Sequence, residues 1–268
     1  MLLEAAMTIA RQSGDMIHSQ LDGSYGIHSK NGIRDLATDI DRRSESMIQD
    51  YLGNRFPSIG FLGEEQSFDA PRTSFQTLST LADDEYLWVV DPLDGTTNFV
   101  RQLPLYVVSI ALVKGQEILL AVVYDPSHRE LFSASKGGGA FLNGKPMRIS
   151  ANQGVEDSIV SVSLPVVRQE FREKAVAFIT NYAPVCTSMR ICNCSELNFA
   201  YVAAGRMEAH IEMDVYPWDL VAGVLLIREA GGEVSGLRGE PFCLDFPSAI
   251  GSNGWVHPEV VRYFNLGV

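Results

Sequence analysis

Two aspartates, Asp91 and Asp94, stand three residues apart in residues 88–99, which read WVVDPLDGTTNF. They flank a rigid Pro92-Leu93 pair, so both carboxylates can converge on one region. Like charges held that close repel unless a cation lies between them. Nothing basic lies within the turn, so a hard divalent cation is the natural partner. Oxygen donors favour Mg²⁺, Mn²⁺ or Ca²⁺. Gly95 lets backbone approach a ligand closely. The N–H groups of Gly95 and Thr96 can form a small nest for an anion, and a metal beside such a nest suggests a phosphate. A DPLDG turn on the surface that binds nothing has the same letters.

The element that must position this turn is a strand. Trp88, Val89 and Val90 are bulky and β-favouring, and the expected strand stops abruptly at Asp91-Pro92. Ligands of α/β folds gather at such strand ends. Two more carboxylates sit at similar junctions. Gly63-Glu64-Glu65 ends an apolar run of Ile59, Phe61 and Leu62. Trp218-Asp219 opens LVAGVLLIREAGG, a buried helix ended by Gly231-Gly232. Taken singly, Asp219 is a helix cap and Glu64 a solvated loop acid.

Together these segments resemble the inositol monophosphatase family of metal-dependent, lithium-sensitive phosphomonoesterases. The resemblance also takes in DLATDID at 35–41, residues 137–144 and Glu229-Ala230-Gly231-Gly232, and so runs through nearly the whole chain. It implies a layered αβαβα sandwich, the sugar-phosphatase fold, usually as a homodimer. It implies that Glu64, Asp91 and the Leu93 carbonyl hold one Mg²⁺, and that Asp91, Asp94 and Asp219 hold a second. A third, weaker ion lies near Glu64, giving two to three per subunit. Thr96, hydrogen-bonded to Asp41, orients the nucleophilic water. The Gly95 and Thr96 amides bind phosphate, and Asp94 and Asp219 border the substrate. Glu212 binds a hydroxyl of the organic part, and Lys30 rides on a loop that closes over the site. Such sites need no side-chain nucleophile, because bound metal acidifies water. Asp41 is equally suited to cap a helix at 41–52, Lys30 to be a solvated loop lysine, and His210 reads as packing. One segment departs from the family. Asn193-Cys194-Ser195 stands where relatives carry Gly-Ser or Gly-Thr followed by Ala, so Asn193 and Ser195 are expected to alter the wall that meets the substrate's organic part.

The whole chain is consistent with this chemistry. At 268 residues it can bury a large core, read as a single catalytic domain of 1–268 with halves of about 1–150 and 151–268. A formal charge of -12, with no Lys/Arg run, disfavours nucleic acid and makes cations necessary for handling phosphate esters. Cys186, Cys192, Cys194 and Cys243 fit neither a disulfide framework nor a CxxC zinc pair. No secretory signal or membrane-length apolar run is evident, and the reading is a reduced, cytoplasmic protein. Helices are expected at 1–22, 39–54, 168–181 and 197–204. Strands are expected at 106–113, 118–124, 130–135, 140–142, 159–163 and 207–212, with 66–85 a long loop. Helices, then strands, then alternating elements argue an α+β or α/β chain with layered sheets.

The expectation is a Mg²⁺-dependent phosphatase of myo-inositol monophosphate. The alternatives are another small ester (fructose 1,6-bisphosphate, histidinol phosphate or 3′-phosphoadenosine 5′-phosphate) and a catalytically silent regulator that binds metal or phosphate.

Overall fold

The computed structural model describes residues 1–23, 25–29, 36–67, 73–165 and 168–266. An apolar stripe of Ala6, Ile9, Ala10 and Ile17 folds Leu2–His18 into the first helix, α1. It stops four residues short of the expected 22, and turns carry 19–22. A two-stranded ribbon follows, Ile27–Ser29 (β1) against Leu36–Thr38 (β2), which the polar composition there did not announce. Asp39–Arg55 is α2, capped by the Thr38 side chain. Then come Gly60–Gly63 (β3), Thr73–Ser79 (α3), Tyr86–Asp94 (β4) and the short Thr96–Val100 (α4). The expected long loop thus contains a helix, whose Leu78 is fully buried.

Val107–Lys114 (β5), Glu117–Asp125 (β6), Glu130–Ser135 (β7), Gly139–Leu142 (β8) and Lys145–Pro146 (β9) form a meander beside β4. The second half supplies Ile159–Val162 (β10), Gln169–Tyr182 (α5), Ser188–Arg190 (β11), Ser195–Ala203 (α6) and Ala209–Met213 (β12). A 3₁₀ turn, Pro217–Asp219, precedes Val221–Glu229 (α7). Glu233–Ser235 (β13), Ser248–Ser252 (β14) and His257–Phe264 (α8) complete the chain. Asp219 is therefore in a separate turn ahead of α7 rather than inside the helix start.

Among the described residues, β3 to β9 form a seven-stranded sheet in sequence order, and β11-β10-β12-β14-β13 a five-stranded one. Side chains of β4 alternate between two cores. Leu87 and Val89 join the core between the sheets, while Trp88 and Val90 join the core under α1 and α2. With both faces covered, the strand reads as an unbroken apolar run. Helices α6 and α7 fill the middle layer, and α5 and α8 cover the far face of the smaller sheet. The layers are thus αβαβα, held by three apolar cores. No described helix is long and apolar enough to cross a membrane.

The middle layer is tight because α6 and α7 meet at a glycine. A Cβ on Gly223 would collide with Phe199 and stand 2.7 Å from Glu196 Oε2. Gly223→Ala is expected to lower stability by about 1–3 kcal/mol, the usual cost of overpacking. Denaturant unfolding of the variant checks this, and an unchanged midpoint would contradict the close packing.

Candidate active site

The site begins at a defect in β4. The strand pairs with β5 from Tyr86 through Asp91, opposite Ser109, and again at Asp94, opposite Val107. Between them Pro92, which has no N–H to give, and Leu93 bulge out of the ladder. The strand therefore runs on past the point where the sequence predicts a stop, and both aspartates belong to its bulged end. The bulge is tied from two sides. Leu93 N–H donates to Asp91 Oδ1 at 2.9 Å, and Ser44 Oγ donates to the Pro92 carbonyl at 2.8 Å. Gly95 then turns the chain with φ 89°, and a Cβ there would stand 2.6 Å from the Leu105 carbonyl. Only glycine suits that position. The segment TTNFV continues as α4, so the Thr96 amide lies in its first turn.

One face of α2 braces the motif. Asp41, Ser44 and Glu45 lie at i, i+3 and i+4, and all three are buried. Asp41 Oδ1 accepts from Thr96 Oγ1 at 2.9 Å. Its Oδ2 accepts from Thr38 N at 2.8 Å and Thr38 Oγ1 at 2.5 Å. Asp41 thus closes a capping box begun by Thr38 and also accepts from the Thr96 hydroxyl, so one geometry contains both the cap and the expected hydrogen bond. The Thr96 hydroxyl also lies 3.0 Å from the Leu93 carbonyl. Glu45 accepts from the amides of Glu65 and Gln66, each at 2.8 Å, and so fixes the turn that carries Glu64. Burial holds the Glu45 carboxyl up at about 7, with the charges of Glu65 and Glu64 adding to the rise. Sequence reasoning missed Ser44 and Glu45. The signal for Ser44 was a polar residue on the stripe Ile40, Ser44, Ile48 and Leu52, where a core-facing helix should be apolar, and Glu45 adjoins it.

Three carboxylates converge in front of this frame. Asp91, Asp94 and Asp219 each offer an oxygen within 4.8 Å of the others. Glu64 follows β3, its amide donating to the Val90 carbonyl at 3.3 Å, and its charge acts on both Asp91 and Asp219. Burial, and then the charges of Glu64, Asp94 and Asp219, hold Asp91 well above the ordinary carboxylate range. Asp219 is raised in the same way, by burial and then by Glu64 and Asp94. Asp94 is pushed up to about 6 by burial, while amides of α6 pull it down. Among the described residues no lysine, arginine or histidine pairs with this trio. Hard oxygen donors crowded together, with Asp91 and Asp94 buried and Asp219 half-buried, fit a divalent ion. The donors present are Asp91, Asp94, Asp219 and Glu64, with the Leu93 carbonyl alongside.

Behind the trio lies a second polar cluster. Asp94 accepts from Ser195 N at 3.2 Å and Glu196 N at 2.7 Å, at the N-terminus of α6. Cys194 Sγ stands 3.4 Å from Asp94 Oδ2. Glu196 in turn accepts from the Ala222 and Gly223 amides that open α7. Ser195 Oγ donates to Glu212 Oε2 at 2.6 Å, so its hydroxyl is committed to a protein partner. Asn193 is exposed and left-handed at φ 50°, the backbone conformation for which glycine is usual. Asn98 Nδ2 donates to the Cys192 and Asn193 carbonyls, tying this segment to α4. His210 is more than packing. Its Nε2 lies 3.1 Å from Glu212 Oε2 and its Nδ1 2.8 Å from Ser161 Oγ. Lys30 lies outside the described residues.

A family model described as the inositol monophosphatase family matches residues 1–265. A Thermotoga maritima protein named fructose-1,6-bisphosphatase/inositol-1-monophosphatase is 33% identical over 263 residues, covering 98% of this chain and 95% of that protein. A Salmonella typhimurium protein named Nus factor SuhB is 36% identical over 240 residues, covering 89% of this chain and 86% of that protein. The crystal structure of the extragenic suppressor protein suhB from Bartonella henselae matches with a TM-score of 0.89 at 29% identity, covering 100% of this chain and 99% of that one.

The raised carboxyls have a consequence for metal and pH. Burial raises the Asp94 carboxyl to about 6, against 3.8 as the ordinary value. The stability from its proton is present below the ordinary value and is lost as pH rises through about 6. A bound cation replaces protons, so Mg²⁺ should stabilise more at high pH. At a hundredfold excess over Kd the gain is about 2.7 kcal/mol. Melting with EDTA and with Mg²⁺ at about pH 5 and about pH 8 tests this, with the larger rise in Tm expected at the higher pH. An equal rise at both would place the metal elsewhere.

Proposed function

Given that this chain belongs to the inositol monophosphatase family, a family of metal-dependent phosphatases of small phosphate esters, we propose that it is a Mg²⁺-dependent phosphomonoesterase acting on polyol monophosphates, foremost myo-inositol monophosphate. The observation that carries this reading is the convergence of Asp91, Asp94 and Asp219, together with a Thr96 hydroxyl held by Asp41. Two to three ions would be held by Glu64, Asp91, Asp94, Asp219 and the Leu93 carbonyl. When bound, Mg²⁺ supplies Lewis-acid chemistry, acidifying water and neutralising charge on the phosphate.

The chain's own groups position the reactants. Thr96 Oγ1 has one proton and two acceptors, Asp41 Oδ1 at 2.9 Å and Leu93 O at 3.0 Å. With that proton directed to Asp41, the Thr96 lone pairs face outward and accept from water. As water attacks phosphorus and the P–O bond to the organic part breaks, the water gives a proton to Thr96 Oγ1 while the hydroxyl proton of Thr96 passes to Asp41 Oδ1. The departing alkoxide takes a proton from solvent water, and Asp41 returns its own to solvent. Threonine at its ordinary pKa is a poor base, so the buried carboxylate behind it is what makes the transfer feasible. The Gly95 and Thr96 amides at the start of α4 receive the phosphate oxygens. Glu212 accepts a hydroxyl of the organic part, and its charge disfavours a second phosphate placed nearby.

A second ester is favoured by one observation. The Thermotoga relative's name includes fructose-1,6-bisphosphatase, which makes that bisphosphate the first competitor to compare. The name Nus factor, carried by the Salmonella relative, keeps a regulatory role in view. The intact set of Glu64, Asp91, Asp94 and Asp219 supports catalysis over a silent regulator. A homodimer and a cytoplasmic location belong to the same proposal and rest on family likeness.

Phosphate release from inositol 1-phosphate, fructose 1,6-bisphosphate, histidinol phosphate and 3′-phosphoadenosine 5′-phosphate, measured side by side, tests the substrate. The inositol ester should have the highest kcat/KM, with activity abolished by EDTA, restored by Mg²⁺ and inhibited by Li⁺. A nucleotide favoured by about tenfold, which is about 1.4 kcal/mol, would overturn the polyol assignment. Thr96→Ala should lower kcat by roughly 10²–10⁴ with Mg²⁺ affinity little changed. Near-normal turnover in that variant would remove Thr96 from the mechanism.

A further inference from the structure

Residues of two neighbouring strands converge below the substrate end of the site. β10 and β12 pair in parallel, with Ser161 opposite His210. Because strand side chains alternate, Ser161 and Ser163 share one face with His210 and Glu212. All four are buried, His210 completely. Three donors meet on one oxygen there. Glu212 Oε2 lies 2.6 Å from Ser163 Oγ, 2.6 Å from Ser195 Oγ and 3.1 Å from His210 Nε2. The other oxygen, Oε1, accepts from Met213 N at 3.2 Å. An ionised carboxylate has about four acceptor sites. Oε2 is saturated, and the remaining capacity lies on Oε1.

The imidazole is itself fixed. The carboxylate accepts, so Nε2 carries the hydrogen and Nδ1 accepts from Ser161, a tautomer assigned from the partners. The edge of the ring is set against Phe199, with centroids 4.7 Å apart and planes at 77°. A packing position between β12 and α6 would favour an apolar side chain. A fully buried imidazole with both nitrogens bonded is costly unless those bonds are satisfied. Ser195 extends the network to the carboxylate trio, since its amide donates to Asp94 Oδ1. The acceptor for the organic part and the hydrolytic centre are therefore linked through a single residue.

We propose that His210 is a positioning residue for substrate recognition: with Ser163 and Ser195 it locks Glu212 Oε2 and so presents Oε1 as a fixed acceptor for a substrate hydroxyl. This rests on the phosphomonoesterase reading above. The ligand class follows from the geometry. A locked carboxylate oxygen takes a hydrogen-bond donor, so the preferred substrate carries a hydroxyl near the ester, and an anionic group at the same place is rejected. One terminal torsion separates a locked Glu212 from a rotating one. Removing His210 takes away one of the three donors on Oε2 and loosens that torsion without touching the trio.

The test compares inositol 1-phosphate with p-nitrophenyl phosphate, whose leaving group has no hydroxyl beside the ester. His210→Phe should raise KM for inositol 1-phosphate roughly tenfold and change kcat less than about twofold, which is the signature of lost binding rather than lost chemistry. The ratio of kcat/KM for the two esters should fall by the same factor. His210→Gln, whose amide can replace the Nε2 donor, should recover most of the loss. Ser161→Ala, which keeps the imidazole but removes its tether, should raise the same KM by a smaller factor, and it gives the answer if the phenylalanine variant does not fold. An unchanged ratio in both His210→Phe and Ser161→Ala, or equal losses on both esters, overturns the positioning role. If the unaltered enzyme itself shows no preference for inositol 1-phosphate over p-nitrophenyl phosphate, the polyol reading fails instead, and this inference with it.

Discussion

Buried carboxylates that face one another are the constraint on which this molecule turns. Asp91, Asp94 and Asp219 bring oxygens within 4.8 Å in a place largely shut off from water. Their mutual repulsion and their desolvation both oppose ionisation. Among the described residues, no arginine or lysine pairs with the trio. The fold places backbone amides around each acid and leaves the common space for a cation. Asp94 rests on the first amides of α6, and Asp219 accepts from its own turn through Tyr216 N at 2.8 Å. Asp91 accepts across the bulge from Leu93 N. Fixed dipoles hold the anions in position while keeping the charge that attracts a metal.

The same device recurs one layer back. Glu196 belongs to α6, whose amides support Asp94, and it is itself supported by the opening amides of α7. Burial, and then the charge of Asp94, hold Glu196 well above the ordinary carboxylate range. The middle helical layer is thus more than apolar filler between two sheets. It transmits one carboxylate's position to the next through helix ends, and Gly223 lets those ends come close enough. On the opposite side, α2 uses Asp41, Ser44 and Glu45 to grip Thr96, the Pro92 carbonyl and the Glu64 turn. Two helices from different parts of the chain therefore set the geometry of one bulge.

The acidic balance of the chain agrees with this arrangement. A net charge of -12 leaves an anionic ester without steering from the protein surface as a whole, so recognition depends on bound cations and local amides. Recognition of the organic part is separate. In the proposed reading it depends on Glu212, a carboxylate whose donors come from the residue after β10, from α6 and from β12. The carboxylate trio and the Glu212 cluster are adjoining but distinct polar groups, joined at Ser195.

What the sequence determined by itself was the chemical inventory. Residue types and spacing in WVVDPLDGTTNF, with Glu64 and Asp219, pointed to hard oxygen donors and to a small anion nest. Local rules also placed most strands and helices, because apolar periodicity there agrees with tertiary packing. Where the two disagree, the sequence was silent or misleading. Pro92 signals a strand end locally, yet β5 resumes pairing at Asp94, because a bulge absorbs the residues that lack a partner. Ser44 and Glu45 look like ordinary helix surface, and only the docking of α2 onto β4 turns them inward. Ser188–Arg190, Ser248–Ser252 and His257–Phe264 were not foreseen, since short elements, whether at a sheet edge, between two strands or near the chain end, owe their form to neighbours rather than to propensity. His210 reads as packing along its strand, and its role depends on Ser161, 49 residues earlier, and on a helix between them. Contacts of that range have no local signature, and only the tertiary structure decides which buried polar groups meet.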